Sequence, residues 1–462
     1  DPLGHRLSTS PRTKTAPSAV IAGPIPETAH SSPVVLEPYG VDRISTYNYI
    51  QEEYFVSGTA AGQPYQTRIL VRRPENIDHF NGKAVAEVAH IWGGTSVWRV
   101  LNRHLMRNGY MWIEIDSQSP SALGLIAGSN PERYRSMTFI EGPLASDFAA
   151  TIPFVEDPNQ DELAKQYDEF KEKWWEATPQ SFEIIAQVAQ ALRSGLPDLQ
   201  GSEITGLYFI GISQTGGVVR RFVEQYHSQF RNEDGRPVFD GYLPAASGGP
   251  SLPDIDVPVI EMLGEAEFQS VRWECGVSGQ VRGLSHRRPD SSTFRLYEVP
   301  GMAHRETRYM SDKDKIRLKD CPLPAGAYWS TFPNSHVYNA IFEQLVAWSE
   351  GIKVPPPSQY LETVGTTDTI VRDEHGNALG GWRTTYTDVP HSTLVAATPV
   401  GRPSWYHGNE TPFDSAKLSS LYGSPAGYRH EVAKNLQELI ENGLYLEVDA
   451  EDIRLQAESV QW

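Results

Sequence analysis

A short stretch near the middle of the chain, YFIGISQTGGVV at 208–219, strongly restricts the conformation of the backbone. Its first half is an apolar, β-rich run, and its second half has the apolar spacing of a helix. The change takes place in a corner bounded by Gly211 and Gly216, with Ser213 between them. Small residues are needed where a buried strand turns this tightly, and such a corner presents a hydroxyl above the sheet. We therefore predict a strand–turn–helix unit with Ser213 at its apex.

The motif at this corner departs from the strict G-x-S-x-G pattern of a nucleophilic serine. Thr215 occupies the position of the second glycine, and Gly216 follows one residue later. The helix that begins near Gln214 would direct free N–H groups and the positive end of its dipole toward the site. An ordinary helix cap is the alternative interpretation of Ser213. A nucleophile is therefore predicted only if the chain also supplies a base and an acid.

Strands and helices alternate on both sides of this corner. The runs KAVAEVAHIW, VWRVLNRHLMRNG and YMWIEID read as strand, helix and strand, and the alternation resumes after residue 178. Strand–helix–strand units with short connections are typical of a mostly parallel sheet flanked by helices. The stretch 117–178 between them is too long for a plain connection, and we interpret it as an insertion that covers a site as a lid.

Two later strands end in groups that a serine nucleophile requires. A hydroxyl reacts only when a base removes its proton, and the base must itself be oriented. VPVIEMLGEAEF ends in Glu265 and Glu267, and YEVPGMAHRE carries His304. The carboxyl ends of parallel strands meet at one edge of a sheet, so these groups should converge on Ser213. We predict Ser213 as nucleophile, His304 as base and Glu267 as acid. Glu265 is the alternative acid, and only one of the two is expected to face the histidine.

The developing negative charge would need two preorganised donors. One is expected from the backbone N–H of Gln214, and the other from Gly93 or Gly94 in HIWGGT, although this sequence could be a simple tight turn. Trp92 and Trp98 flank these glycines. They are candidates for substrate contacts, with packing in the core or under a lid as the alternative.

Charge and motif content exclude several classes of function. The net charge of −18 does not suit nucleic-acid binding, which needs a basic face. No apolar run is long enough to predict a membrane span. His90 and His286 lack ligand spacing, so no metal site is predicted, and no nucleotide-binding motif follows a strand. We expect no cofactor.

The two cysteines and the start of the chain bear on its compartment. Cys275 and Cys321 could form one disulfide or be two buried thiols, and their spacing does not decide between these possibilities. The chain begins at Asp1 with a Ser/Pro/Thr-rich segment, as expected after removal of a signal peptide. A secreted or periplasmic protein is therefore expected, with a cytoplasmic one as the alternative.

From about residue 50 to its C-terminus, the sequence resembles the α/β-hydrolase superfamily, and within it a bacterial group called α/β-hydrolase domain-containing proteins. The resemblance is carried by HIWGG, HLMRNGYMWIEIDSQ, GISQTGG, VPGMAH, FPNSHVYNAIFEQLVAWSEGIKVPPP and DEHGNALGGWRTTYTDVP. It implies that Ser213 and His304 are nucleophile and base, that the Thr215–Gly216 variant is normal in the group, and that a carboxylate in GEAEF is the acid.

These observations together predict an α/β-hydrolase fold with three parts. Residues 1–40 should form an extended N-terminal arm, residues 41–354 a catalytic domain, and residues 355–462 a C-terminal extension packed on that domain. The expected reaction is hydrolysis of a small-molecule carboxylic ester through an acyl-enzyme. An acyltransferase with the same triad, or a binding protein with an idle site, are the alternatives. The sequence specifies neither the ester nor the oligomeric state.

Overall fold

A nine-stranded sheet runs through the centre of the protein. The computed structural model describes residues 14–15, 19–33, 43–91, 95–118, 121–122, 125, 129–138, 179–268, 283–310, 323–396 and 407–462. The strands of this part of the chain are β1 Lys14–Thr15, β2 Val20–Ala22, β3 Tyr49–Ala60, β4 Gln63–Pro74, β5 Lys83–Val88, β6 Met111–Ile115, β7 Gly206–Ile212, β8 Phe230–Arg231, β9 Gly241–Ala245, β10 Val259–Gly264, β11 Phe294–Val299, β12 Tyr328–Trp329, β13 Ser392–Val395 and β14 Asn409–Pro412.

Helices connect and cover these strands. They are α1 Ser96–Arg107, α2 Pro131–Tyr134, α3 Pro179–Leu192, α4 Gln214–Arg221, α5 Asn334–Ser349, α6 Thr385–Asp388, α7 Ser415–Tyr422, α8 Pro425–Glu441 and α9 Glu447–Glu458. Short 3₁₀ turns lie at Ile44–Tyr47, Ile77–His79, Glu265–Phe268, Gly283–His286 and Thr307–Tyr309.

The central sheet has the strand order β11-β10-β9-β7-β5-β6-β4-β3-β2. The six strands from β11 to β6 in this order all run parallel to one another. The remaining strands, β4, β3 and β2, pair antiparallel at one edge. The predicted mostly parallel sheet flanked by helices is therefore confirmed. Two small sheets, β1-β8 and β12-β14-β13, lie outside it.

Apolar layers cover both faces of the sheet, because successive strand residues point to opposite sides. In β7, Leu207 and Phe209 belong to one buried cluster, which includes residues of α3 and α4. Tyr208 and Ile210 belong to the other, which includes residues of α1, α5, α8 and α9. The uninterrupted apolar run of β7 follows from this burial on both faces.

The helix after Ser213 is shorter than its pattern predicts. The apolar spacing continues to about residue 230, but α4 ends at Arg221 and a π turn occupies Phe222–Tyr226. The His227 N–H donates to the Phe222 carbonyl at 2.7 Å, which widens the turn. This wider turn accompanies a 2.9 Å contact between the His227 ring and the Tyr242 hydroxyl.

The N-terminal part contributes to the sheet. Within the predicted arm 1–40, Val20–Ala22 pair antiparallel with β3 and form one edge of the central sheet. Much of the predicted lid 117–178 lies outside the described residues. The described segment 129–138 is anchored on the sheet, since Arg133 Nε donates to Glu53 at 3.0 Å and Tyr134 is fully buried.

The C-terminal part shares the core of the sheet. Residues of α8 and α9 belong to the same buried cluster as α1 and α5. Asn339 of α5 donates to Asp449 of α9 at 2.8 Å, and both side chains are buried. The boundary at 354/355 stays a prediction.

Candidate active site

Ser213 lies at the carboxyl end of β7, one residue before α4. Its backbone has φ 62° and ψ −121°, a left-handed conformation that costs a residue with a side chain of the order of 1–3 kcal/mol. Two hydrogen bonds fix this conformation. The Ser213 N–H donates to the Ala245 carbonyl at 2.9 Å, and its own carbonyl accepts from Gly217 at 3.0 Å. The sharp corner predicted from the sequence is present.

Gly211 and Gly216 are required by close packing of the backbone. A Cβ on Gly211 would collide with the carbonyl oxygen of Thr215, and one on Gly216 would collide with that of Ala245. Both glycines therefore allow α4 to start directly against β7 and β9.

The side chain of Thr215 has a structural role that was not predicted from the sequence. Its buried hydroxyl accepts from the Ile212 N–H at 2.9 Å and donates to the Ile212 carbonyl at 3.0 Å. The side chain thus satisfies both backbone groups of Ile212, the last residue of β7, from the second position of α4. A hydroxyl residue in the first turn of a helix that directly follows a strand was the available signal.

His304 connects the serine to a carboxylate. Its Nε2 lies 2.8 Å from Ser213 Oγ, and its Nδ1 lies 2.7 Å from Glu267 Oε1. The His304 residue is 7 % exposed and Glu267 is fully buried. A neutral imidazole satisfies both contacts when Nδ1–H donates to the carboxylate and Nε2 accepts the serine proton. The structure thus brings together the three predicted side chains, whose chemical roles stay predictions.

The two candidate acids have different partners. The second oxygen of Glu267 accepts from the Gly264 N–H at 2.6 Å, so the carboxylate is fixed while it faces His304. Glu265, also fully buried, accepts from the Gly301 N–H at 2.7 Å and pairs with Arg372. Glu267, and not Glu265, is the carboxylate in contact with the histidine.

The proposed oxyanion donors are described only in part. Gln214 is the first residue of α4, and the first N–H groups of a helix have no carbonyl partner within it. Gly93, Gly94 and Trp92 lie outside the described residues.

The side chain of Gln214 forms an amide pair with Gln118, a residue that sequence reasoning missed. Gln214 Nε2 donates to Gln118 Oε1 at 2.8 Å, and Gln118 Nε2 lies 3.3 Å from Gln214 Oε1. Gln118 follows β6, which is separated from β7 only by β5, so its position beyond the carboxyl end of a parallel strand was the signal that could have identified it.

Trp98 belongs to the core. It is 4 % exposed, its ring centroid lies 5.1 Å from that of Trp112, and the Arg72 guanidinium lies 4.5 Å over it. This burial favours the packing alternative over the predicted substrate contact.

The start of α1 is fixed by Glu87, the penultimate residue of strand β5. Its carboxylate accepts from the backbone N–H groups of Val97 and Trp98 at 3.0 Å each, and from the Trp112 indole at 2.8 Å. Burial raises the pKa of Glu87 to about 7, while these donors and Arg72 oppose the rise. The carboxylate binds the N-terminus of α1, where helices favour negative charge.

His90 adds a neutral ring near the site. Burial, together with the electrostatic effect of Arg305 and His304, lowers the pKa of His90 to about 3. The imidazole is therefore uncharged at neutral pH and adds no positive charge beside His304.

Cys275 and Cys321 both lie outside the described residues. Among the residues that are described, no three or more His, Cys, Asp or Glu side chains form a group that could hold a metal ion. No helix in these same ranges is both long and apolar enough to cross a membrane.

The fold and the corner at Ser213 define a class of protein. A mostly parallel sheet flanked by helices, with a serine on a strained turn between a central strand and its helix, is the architecture of the α/β hydrolases. Residues 21–454 match the family described as "Alpha/beta hydrolase domain", and the chain belongs to that family.

Solved structures to which the chain is similar share little sequence with it. The esterase Pf2001 of Pyrococcus furiosus shares 10% identity, covering 58% of this chain and 88% of its own, with a TM-score of 0.28. A cold-adapted esterase from an Arctic intertidal metagenomic library shares 11% identity, covering 57% and 89%, with a TM-score of 0.28. LpqC, a poly(3-hydroxybutyrate) depolymerase of Bordetella parapertussis, shares 11% identity, covering 47% and 67%, with a TM-score of 0.26. No curated protein matches the chain.

Proposed function

We propose that the protein is a serine hydrolase that cleaves a carboxylic ester of a small molecule. The observation that carries this proposal is the continuous contact from Ser213 through His304 to Glu267, at 2.8 Å and 2.7 Å. The first distance is within the reach that proton transfer from a nucleophile to a general base requires, and the second is that of a hydrogen bond that orients the base. Membership of the "Alpha/beta hydrolase domain" family agrees with this chemistry.

The first half of the reaction forms an acyl-enzyme. His304 Nε2 takes the Ser213 proton while Oγ attacks the ester carbonyl, and Glu267 stabilises the imidazolium that results. The backbone N–H of Gln214 is the proposed first donor to the oxyanion, and Gly93 or Gly94 the proposed second. The tetrahedral intermediate then collapses: the bond to the leaving alcohol breaks, and His304 protonates that oxygen.

The second half regenerates the serine. His304 removes a proton from water, the resulting hydroxide attacks the acyl carbonyl, and the bond to Ser213 Oγ breaks as the proton returns to it. The products are a carboxylic acid and an alcohol. No cofactor enters these steps.

The test is Ser213→Ala, assayed with p-nitrophenyl esters of graded chain length and with bulky aryl esters. We expect kcat to fall by at least about 10⁴-fold, as for other serine triads. Ser419→Ala, on the exposed face of α7, is the control and should retain full turnover. A fluorophosphonate probe should label the unmodified protein and not the Ser213 variant.

Three results would overturn the proposal. Undiminished turnover by the Ser213→Ala protein would remove the nucleophile. Acyl transfer to an added alcohol at the expense of free acid would assign an acyltransferase. Absence of both turnover and labelling in the unmodified protein would favour a binding protein with an idle site.

A further inference from the structure

The amide pair beside the nucleophile joins three segments of the chain. Gln118 uses one N–H for the Gln214 side chain, at 3.3 Å, and donates to the Ala89 carbonyl at 2.8 Å. Gln214 Oε1 in turn lies 3.4 Å from the Ile91 N–H. The end of β6, the first residue of α4 and the segment 89–91 after β5 therefore meet at two facing amide groups.

Gln118 follows a buried, hydrogen-bonded segment of backbone at the end of β6. Asp116 is 1 % exposed, and its carboxylate is paired with the equally buried Arg68. The Asp116 N–H donates to the Arg68 carbonyl at 3.1 Å, and the Asp116 carbonyl accepts from the Thr67 hydroxyl. Gln118 itself is 1 % exposed. A side chain that is held by such a buried segment can fix the position of the segments that it contacts.

The two facing amides fix the orientation of each other. The Ala89 carbonyl requires an N–H of Gln118, and the Ile91 N–H requires the oxygen of Gln214. When both amides are oriented in this way, Gln214 Nε2 faces Gln118 Oε1 and donates to it at 2.8 Å. Every contact pairs a donor with an acceptor, so the arrangement is self-consistent.

We propose that Gln118 is a positioning residue, which holds the first residue of α4 against the segment after β5. It would thereby align the Gln214 N–H with the oxygen of the substrate carbonyl. This inference rests on the proposed function, because alignment affects turnover only if Ser213 reacts there. Misplaced oxyanion donors lower kcat more than they alter ground-state binding.

The kinetic test uses Gln118→Met, Gln214→Met and the double variant. Methionine has a similar length and lacks the amide, so it fills the space without the hydrogen bonds. We expect kcat to fall about 10- to 100-fold in each single variant, with KM unchanged within about twofold. The kcat of the double variant should be no lower than that of the less active single variant, because both changes disrupt the same amide pair.

Gln187→Met is the matched control. Gln187 is also fully buried, accepts from the Tyr65 hydroxyl at 2.9 Å and donates to the Thr59 carbonyl at 2.7 Å, but it lies on α3. This variant should lower thermal stability and leave kcat unchanged. Comparable loss of kcat in the control would indicate a general effect of buried glutamines and overturn the inference.

A second measurement does not depend on turnover. Hydrogen–deuterium exchange of the segment 89–91 should be at least about 10-fold faster in Gln118→Met, because the Ala89 carbonyl loses its donor and the Gln214 side chain that accepts from Ile91 is no longer held by Gln118. Unchanged kcat in an active enzyme, or unchanged exchange in this segment, would overturn the inference. If the unmodified protein has no ester turnover, the proposed function fails, and the exchange result alone decides whether Gln118 holds the segment.

Discussion

Glu265 and Glu267, two positions apart, stabilise different parts of one loop. Glu267 contacts His304 at 2.7 Å, while Glu265 contacts the Gly301 N–H at 2.7 Å. Under the proposed mechanism, Glu267→Gln should lower kcat by about 10³- to 10⁴-fold, because the amide cannot stabilise the imidazolium and disturbs its tautomer. The measurement is kcat for a p-nitrophenyl ester, with circular dichroism to verify folding.

Glu265→Gln is the control for this prediction. It should reduce the melting temperature, since the ion pair with Arg372 is lost, and retain much more of kcat than Glu267→Gln. If Glu265→Gln instead has the larger kinetic effect, Glu265 is the acid of the triad.

Sequence order identified Ser213, His304 and two candidate acids, because each follows a strand whose carboxyl end lies at the same edge of the sheet. The choice between the acids could not be made in this way. Both belong to a 3₁₀ turn at Glu265–Phe268, which the sequence presented as the end of a strand. The partner that distinguishes Glu265, Arg372, lies 107 residues further along the chain.

At the scale of elements, Glu87 links β5 to α1 and carries a pH-dependent part of the stability. Burial raises its pKa from 4.5 to about 7 in the folded protein. A carboxyl whose pKa is raised on folding stabilises the folded state most below pH 4.5 and loses that contribution as pH rises through 7. Between pH 5.5 and pH 8 this loss amounts to about 2 kcal/mol of the free energy of unfolding.

Urea unfolding at these two pH values can measure the effect. The unmodified protein should lose about 2 kcal/mol more than Glu87→Gln does between pH 5.5 and pH 8, since the variant has no group to titrate. Glu374→Gln, whose side chain is 86% exposed, is the control and should behave like the unmodified protein. Equal losses in all three proteins would show that Glu87 has the same pKa folded and unfolded.

Elements with strong apolar periodicity were predicted from the sequence, and those that depend on distant pairing were not. The predicted strand KAVAEVAHIW contains β5 at Lys83–Val88, and the predicted helix VWRVLNRHLMRNG lies largely within α1. The edge strand Val20–Ala22 could not be predicted from its own few residues, because it is formed by pairing with β3. The same holds for the sheet β12-β14-β13, which joins segments far apart in the sequence.

At the scale of the whole molecule, the C-terminal part shares the core of the catalytic part. Trp382 is fully buried, its ring centroid lies 4.6 Å from that of Tyr297 in β11, and its backbone N–H donates to the Glu298 carbonyl at 2.7 Å. Trp382→Ala should therefore reduce the free energy of unfolding by about 3–5 kcal/mol. Ester turnover and the circular-dichroism signal should be lost at the same urea concentration.

Ile352→Ala is the control for this prediction. Ile352 is 72% exposed, and its replacement should change the free energy of unfolding by less than about 0.5 kcal/mol. If Trp382→Ala instead unfolds a separate part of the protein while turnover persists, residues 355–462 form an independent unit.

Contacts across the predicted boundary also affect the order in which the protein matures. Glu265, which holds the Gly301 N–H on the histidine loop, pairs with Arg372 and lies 3.4 Å from the Ala396 N–H. A nascent chain that ends before these residues lacks both partners while it is attached to the ribosome. We therefore expect the loop that carries His304 to reach its full stability only after residue 396 has been synthesised, and a truncated protein would have to retain the polypeptide through residue 396 to keep these contacts.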